Sequence, residues 1–275
     1  MGLQIATNVS ALNAYRNLSS TQNDLSKSLE KLSSGLRINR AADDAAGLAI
    51  SEGLRAQVNG LNVAARNAQD GISVIQTAEG ALTEVHSILQ RVRDLLVQGG
   101  NDSNNDDSRA AIAGEIELLG EELTRVAAST NFNGIKLLDG SNASLTFQVG
   151  AGSEAAEDQI AVALTDFSGL GATIGALTAD DAATALTSIA AVDAEIVNVS
   201  TARATLGANQ NRFESTINSL QVAAENLAAA NSRIRDTDMA AEMVRFTSAN
   251  ILQQAGTAML AQANQSGQGI LQLLR

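Results

Sequence analysis

The chain has 275 residues with 18 basic and 30 acidic side chains, a net charge of −12, one histidine, and no cysteine, proline or tryptophan. That balance argues against the basic face that a nucleic-acid or anionic-membrane partner requires; the absence of cysteine excludes disulfides, thiolate metal sites and cysteine nucleophiles, and a single histidine argues against a histidine-based triad or multi-histidine centre. With 49 alanines, 45% hydrophobic residues and only 2% aromatics, the composition points to long, closely packed helices rather than to an enzyme's cupped pocket.

The first ten residues, MGLQIATNVS, carry no basic n-region and no apolar h-region, so no cleavable secretory signal is expected. No run of about 18 apolar residues predicts a bilayer span. The N-terminal segment reads as one amphipathic helix. Ala11, Leu18, Leu25 and Leu32 recur every seven residues, and Tyr15, Gln22, Leu29 and Leu36 recur four residues later. Nothing local covers these stripes, so the helix needs the other chain end or another chain.

A long helix is predicted over about 44–99. Its stripe runs Leu54, Val58, Leu61, Ala65, Ala68, Ile72, Ile75. It then continues on a slightly rotated face as Ala78, Leu82, Val85, Leu89, Val92, Leu96. Gly99-Gly100 and the polar run 101–107 end it. A third helix over about 108–129 carries Ile112, Ile116, Leu119, Leu123 and Val126, with Ser108 as the expected N-cap.

Residues 131–177 change texture. Turn signals at Asn133-Gly134 and Asp139-Gly140 and the alternation 145–149 and 160–164 predict a small β-hairpin unit. Gly169, Gly171 and Gly175 are expected to loosen the chain after it. Thr178, Asp180 or Asp181 would cap a return helix over about 180–234.

That return helix carries the longest regular pattern. Alternating steps of three and four from Ile189 pass through Val192, Ile196, Val199, Arg203, Leu206, Gln210, Phe213, Ile217, Leu220, Ala224, Leu227 and Asn231 to Ile234, and 11 of the 14 positions are apolar. A stripe held at a period of 3.5 is a coiled-coil seam, roughly 70 Å long over these residues. The C-terminal segment is again amphipathic: Leu252, Met259, Ser266 and Leu273 repeat every seven, as do Gly256, Ala263 and Ile270.

The expected fold is therefore mainly α. A long antiparallel helical coiled-coil rod (43–234) carries a small β-hairpin insert, and residues 1–42 pair with 235–275 as a discontinuous terminal-helix domain.

Candidate sites have plainer readings. Asp102-x-Asn104-x-Asp106 starts like a calcium loop, but Asp107 stands where glycine is needed and Ala113 where a glutamate closes the site. His86 sits on the seam and reads as a packed side chain. Glu154, Glu157 and Asp158 read as an exposed acidic loop. No Gly-x-Ser-x-Gly elbow or phosphate loop is present. Neither a catalytic residue, a cofactor site nor a metal site is expected.

Several long segments, in order, carry a resemblance: NVSALNAYRNL at 8–18, SLEKLSSGLRINRAADDAAGLAIS at 28–51, QDGISVIQTAEGAL at 69–82, TNFNGIKLLDG at 130–140, ENLAAANSRIRDTDMAAEM at 225–243, AMLAQANQ at 258–265 and ILQLLR at 270–275. The sequence resembles the bacterial flagellins over roughly 1–150 and 193–275. The span between leaves no room for large outer domains, and Ser266-Gly267-Gln268-Gly269 replaces a proline often found near the C-terminus of the family.

The resemblance implies a homopolymer forming a motility filament. Its subunit is exported unfolded through a type III channel without a cleaved signal and works outside the cell. The terminal helices would form the inner tube, packing through Leu18, Leu25, Leu29, Leu32, Leu252, Met259, Ile270 and Leu273. An export chaperone, a filament cap and hook-junction proteins are implied partners. Arg91, Leu95 and Glu115 fall where the family packs its rod and where the animal flagellin-sensing Toll-like receptor binds. The implied alternatives are a hook–filament junction protein, separated by high-order self-polymerisation, and a soluble coiled-coil adaptor, separated by a monodisperse dimer.

Overall fold

A computed structural model describes residues 8–273, with side chains placed through Gln265. Backbone proximity divides the chain into a terminal unit, Met1–Ala56 with Asn226–Arg275, and a central unit, Gln57–Glu225.

Helices begin where a side chain can take up unpaired backbone N–H groups. Asn8 Oδ1 accepts from Ala11 N at 3.1 Å ahead of α1 (Val9–Ser34), and Gly35, at φ 73°, closes that helix with its N–H on the Lys31 carbonyl. Asp44 Oδ1 accepts from Gly47 N at 2.8 Å at the start of α2 (Ala45–Gly99). The cap of α3 (Asp106–Ser129) is Asn105, whose Oδ1 accepts from Ser108 N at 2.9 Å; Ser108, the expected cap, is the donor. Starting three residues earlier puts Asp106 and Asp107 in the first turn, at the positive end of the helix dipole.

Both strand pairs lie in the central unit. β1 (Asn131–Phe132) and β2 (Ile135–Lys136) flank Asn133-Gly134, which takes positive φ at both residues, 48° and 82°. Gly140, at φ 74°, then redirects the chain. A second ladder follows, in which β3 (Ser144–Gln148) runs antiparallel to β4 (Gln159–Ala163) with Leu145 opposite Val162 and Phe147 opposite Ile160. The one-turn α4 (Ala155–Asp158) joins them. The insert is thus two ladders, because the Asp139-Gly140 turn ends one before the other begins.

Residues expected to loosen the chain instead form α5 (Leu170–Gly175). Its glycines allow backbone contact with α3. A Cβ on Gly120 would sit 2.7 Å from the Gly171 carbonyl oxygen, and one on Gly171 would sit 2.3 Å from the Gly120 carbonyl oxygen.

α6 (Ala182–Arg235) is the return helix, capped by Asp181. Ala185, Val192, Val199, Leu206 and Phe213, each seven residues apart, are all buried. All 14 seam positions from Ile189 to Ile234 are at least partly buried. Against α2 the register is antiparallel: Gly100 meets Ala185, Arg93 pairs with Asp193 at 2.7 Å, Arg203 with Glu79 at 3.7 Å, and Gly71 meets Phe213. The stretch from Gly71 to Gly100 spans roughly 45 Å. Phe213 and Phe147 also meet edge to face, 5.5 Å between centroids at 88°. One 18-residue window of α6 reaches a mean hydropathy of 1.3 and is long and apolar enough to cross a membrane, where none was expected. In this structure that helix supplies the core seam. α7 (Met239–Leu273) completes the chain.

Two predictions follow from this packing. Gly171→Ala should destabilise the central unit by about 1–3 kcal/mol through overpacking. Gly80→Ala, with nothing within 4 Å of the added carbon, should stabilise it by about 0.5–1 kcal/mol; urea unfolding midpoints measure both. The second concerns acid. The Thr184 hydroxyl and N–H hold Asp181 below its ordinary 3.8, the Ser141 hydroxyl and N–H do the same for Asp139, and the Ser168 N–H and hydroxyl for Asp166. A carboxylate depressed on folding stabilises fully above its unfolded value and loses that contribution as pH falls through the folded one. The unfolding midpoint should be flat from pH 7 to about 5 and fall below about 3.8, and Asp181→Asn should reduce the fall.

Candidate self-assembly surface

In the terminal unit, α1 and α7 run antiparallel with Cα atoms approaching within 8 Å. Polar contacts mark the register along the pair. Asn8 Nδ2 donates to the Ala263 carbonyl at 2.9 Å, Gln253 Nε2 to Gln22 Oε1 at 2.5 Å, and Ser28 Oγ to Glu242 Oε1 at 2.6 Å. Leu18 lies against Gly256, where an added Cβ would be 3.2 Å from its Cδ1. Beyond α1, Arg37 N donates to the Arg235 carbonyl at 2.6 Å, Thr237 N to the Gly35 carbonyl at 3.0 Å, and Arg235 pairs with Glu52 at 2.7 Å. Glu242 is only 4% exposed; its charge is met by the Ser28 hydroxyl and by Arg245 at 3.4 Å.

The pair's inner face mixes Leu18 and Leu25 with Ala11, Ala14, Thr21 and Ser28 on α1, and half-buried Phe246 and Leu260 with Ala249, Gly256 and Ala263 on α7. Small residues let the two backbones approach. Many larger apolar side chains are left exposed: Val9, Leu12, Tyr15 and Leu29 on α1, and Met239, Met243, Val244, Ile251, Leu252 and Met259 on α7, are 47–66% exposed. Ten exposed large apolar side chains gathered on two helices make a candidate interaction surface rather than scattered exposure.

The residues singled out from the sequence fall on both faces. Leu25 is buried and Leu18 and Leu32 are half-buried on the inner face, while Leu29, Leu252 and Met259 are exposed. Ile270 and Leu273 lie outside the described side chains. Sequence reasoning missed Val9, Leu12, Met239, Met243, Val244 and Ile251. Val244 and Ile251, seven apart, were a legible signal. It also missed Glu242, a lone acid in the apolar run Ala240 to Val244.

In the central unit, Arg91 and Glu115 pair at 2.7 Å with both side chains about half exposed. Leu95 does not share their surface; it is 2% exposed, beside Val92 and Leu96 on the inner arc of α2. His86 is half-buried with Nε2 3.0 Å from Gln90 Nε2. Asp102 is exposed and pairs with Arg109 at 3.4 Å. Asp158 accepts from the N–H groups of Gly152 and Glu154, both at 3.1 Å, fixing its loop. Among the described residues no three metal-ligating side chains gather.

Charge separates between the units. Gln57–Glu225 holds eight basic and 22 acidic residues; the terminal unit holds the other ten basic and eight acidic ones. The central unit is therefore net −14 and the terminal unit net +2.

Two family models match the chain: the bacterial flagellin N-terminal helical region over residues 5–143 and the bacterial flagellin C-terminal helical region over residues 189–274. A flagellin of Halalkalibacterium halodurans is 54% identical over 98% of each chain. A flagellin of Bacillus subtilis is 49% identical over 99% of this chain and all of its own. The crystal structure of Bacillus cereus flagellin superposes with a TM-score of 0.50 at 34% identity, covering 60% of this chain and 94% of that one.

Glu242→Ala should leave the Ser28 hydroxyl buried without an acceptor and destabilise the terminal pair by about 1–3 kcal/mol. Faster hydrogen exchange in α1 and α7, with central-unit melting unchanged, is the expected readout. Glu242→Gln, whose amide oxygen still accepts, should recover part of the loss.

Proposed function

The chain belongs to the bacterial flagellin family and is a structural subunit of the flagellar filament, not an enzyme; from that premise we propose how its parts share the work. Residues 1–42 and 235–275 form the filament's inner tube, and 43–234 form the rod around it. The supporting observation is the ring of large apolar side chains on the outside of the α1–α7 pair. Removing each from water contributes about 1.5–3 kcal/mol, set against about 1–2 kcal/mol of backbone entropy per residue ordered. Neighbouring copies that cover Leu29, Leu252 and Met259 tip that balance, so assembly stabilises the terminal helices.

The filament is extracellular. The subunit reaches it through the flagellar type III channel without a cleaved leader. A chain without cysteine or proline suits unfolded passage, because neither a disulfide nor a slow prolyl isomer delays folding at the tip. An export chaperone, the filament cap and the hook-junction proteins are its further partners. Any contact with a Toll-like receptor falls to Arg91 and Glu115, with Leu95 supporting them from the core.

Leu252→Asp with Met259→Asp should leave the helicity and melting of the monomer intact and abolish growth on wild-type seeds, scored by electron microscopy. Deleting 240–275 should keep a cooperative central-unit transition and likewise abolish growth. Filaments from either variant at ordinary concentration would overturn the inner-tube assignment.

A further inference from the structure

The acidic central unit uses up most of its own cations. Arg91, Arg93, Arg109, Arg125 and Arg203 each pair with a carboxylate of that unit within 4.0 Å. Five of its 22 carboxylates are matched in this way and 17 are not.

The terminal unit shows the reverse. Lys27 and Lys31, one turn apart on α1, have no carboxylate within 4.0 Å among the described residues. Like charges at that spacing work against a helix. The two lysines line two grooves in common, of about 430 and 340 Å³; Arg245 stands in the first and Arg37 in the second. Most of the grooves' acids carry other contacts, and Asp43 also lies within electrostatic reach of Lys31 and Lys27. Glu242 accepts from the Ser28 hydroxyl, Asp43 from the N–H groups of Asn39 and Arg40, and Asp44 from Gly47 N. Asp24 completes the lining and makes no ion pair.

We propose that Lys27 and Lys31 are an electrostatic docking point for the acidic central unit of a second copy of this chain. The inference rests on the filament reading above, which supplies the second copy. Charge complementarity names the occupant: in a homopolymer, a net −14 surface is the polyanion brought next to every subunit. The apolar faces of α1 and α7 supply adhesion, and the lysine pair orients it.

The chain has three lysines, Lys27, Lys31 and Lys136, so zero-length carbodiimide cross-linking reads the contact directly. Filaments are assembled from equal parts of ¹⁴N and ¹⁵N subunits, treated, digested and analysed by mass spectrometry. The expected products are mixed-isotope isopeptides joining Lys27 or Lys31 to aspartates or glutamates within 57–225. Mixed-isotope links through Lys136 or the N-terminal amine only, lysine links confined to one chain or to terminal-unit carboxylates, or no links at all would overturn the proposal. As a second measure, Lys27→Glu with Lys31→Glu should slow seeded growth at least tenfold at low salt, and the double Lys→Arg variant should grow as wild type. Equal growth of the charge-reversed protein would also overturn it. Wild-type protein that forms no filaments would instead overturn the filament reading, so the two failures are distinguishable.

Discussion

The antiparallel register of α6 on α2 is the constraint on which the central unit depends. A seven-residue step on α6 brings Ala185, Val192, Val199, Leu206 and Phe213 to one line, and that line faces the buried positions of α2. Large side chains alone do not set the register. Gly71 leaves room for the ring of Phe213, and Gly100 for the methyl of Ala185. The pairs Arg93–Asp193 and Arg203–Glu79 lie between these two anchors. A shift by one heptad would put rings against side chains and strand Arg203, which occupies a seam position. Exposed ion pairs add little stability on their own, but a partly buried arginine whose carboxylate sits at one level penalises the wrong alignment.

The terminal unit solves the opposite problem. An isolated pair of helices gains most by placing its largest apolar side chains between them. Here Ala, Ser, Thr and Gly take many of the inner positions, and Val, Tyr, Met, Ile and Leu face out. Close backbone approach and polar contacts, including the nearly buried Glu242 on Ser28, define which residues of α1 and α7 meet. The apolar surface left over is what a polymer needs. Association can bury it on several sides of each helix, while the pair itself presents a single alignment. Methionine at positions 239, 243 and 259 makes that surface adaptable, which suits a face covered by different neighbours.

Backbone contact between glycines performs the remaining adjustment. α5 lies so close to α3 at Gly120, Gly171 and Gly175 that no Cβ fits at the first two. The first strand ladder turns on Asn133-Gly134 and the chain is redirected into the second at Gly140, all three at positive φ. These glycines hold the segment between α3 and α6 compact without a large independent core, consistent with the absence of room for outer domains between residues 150 and 190.

Helix existence, the α6 seam and the mainly α class were legible in the sequence, because a period of 3.5 maintained from Ile189 to Ile234 has few other physical readings. The amphipathic ends were legible too, and so was the family, from long ordered motifs. Cap identity was not: Asn105 and Ser108 are equally suited by composition, and only the path of the loop chooses between them. Glycines 171 and 175 read as breaks because sequence records their freedom, whereas the neighbouring backbone that exploits it is distant in the chain. Leu95, grouped with Arg91 and Glu115 by the family resemblance, lies at the edge of the stripe, where a small rotation of the helix decides burial. The two stripes on α1 were each visible, but which one faces α7 depends on Gly256, Ala249 and Ala263 more than two hundred residues away. Local periodicity is written in the sequence; the choice of partner face belongs to contacts that only the folded chain brings together.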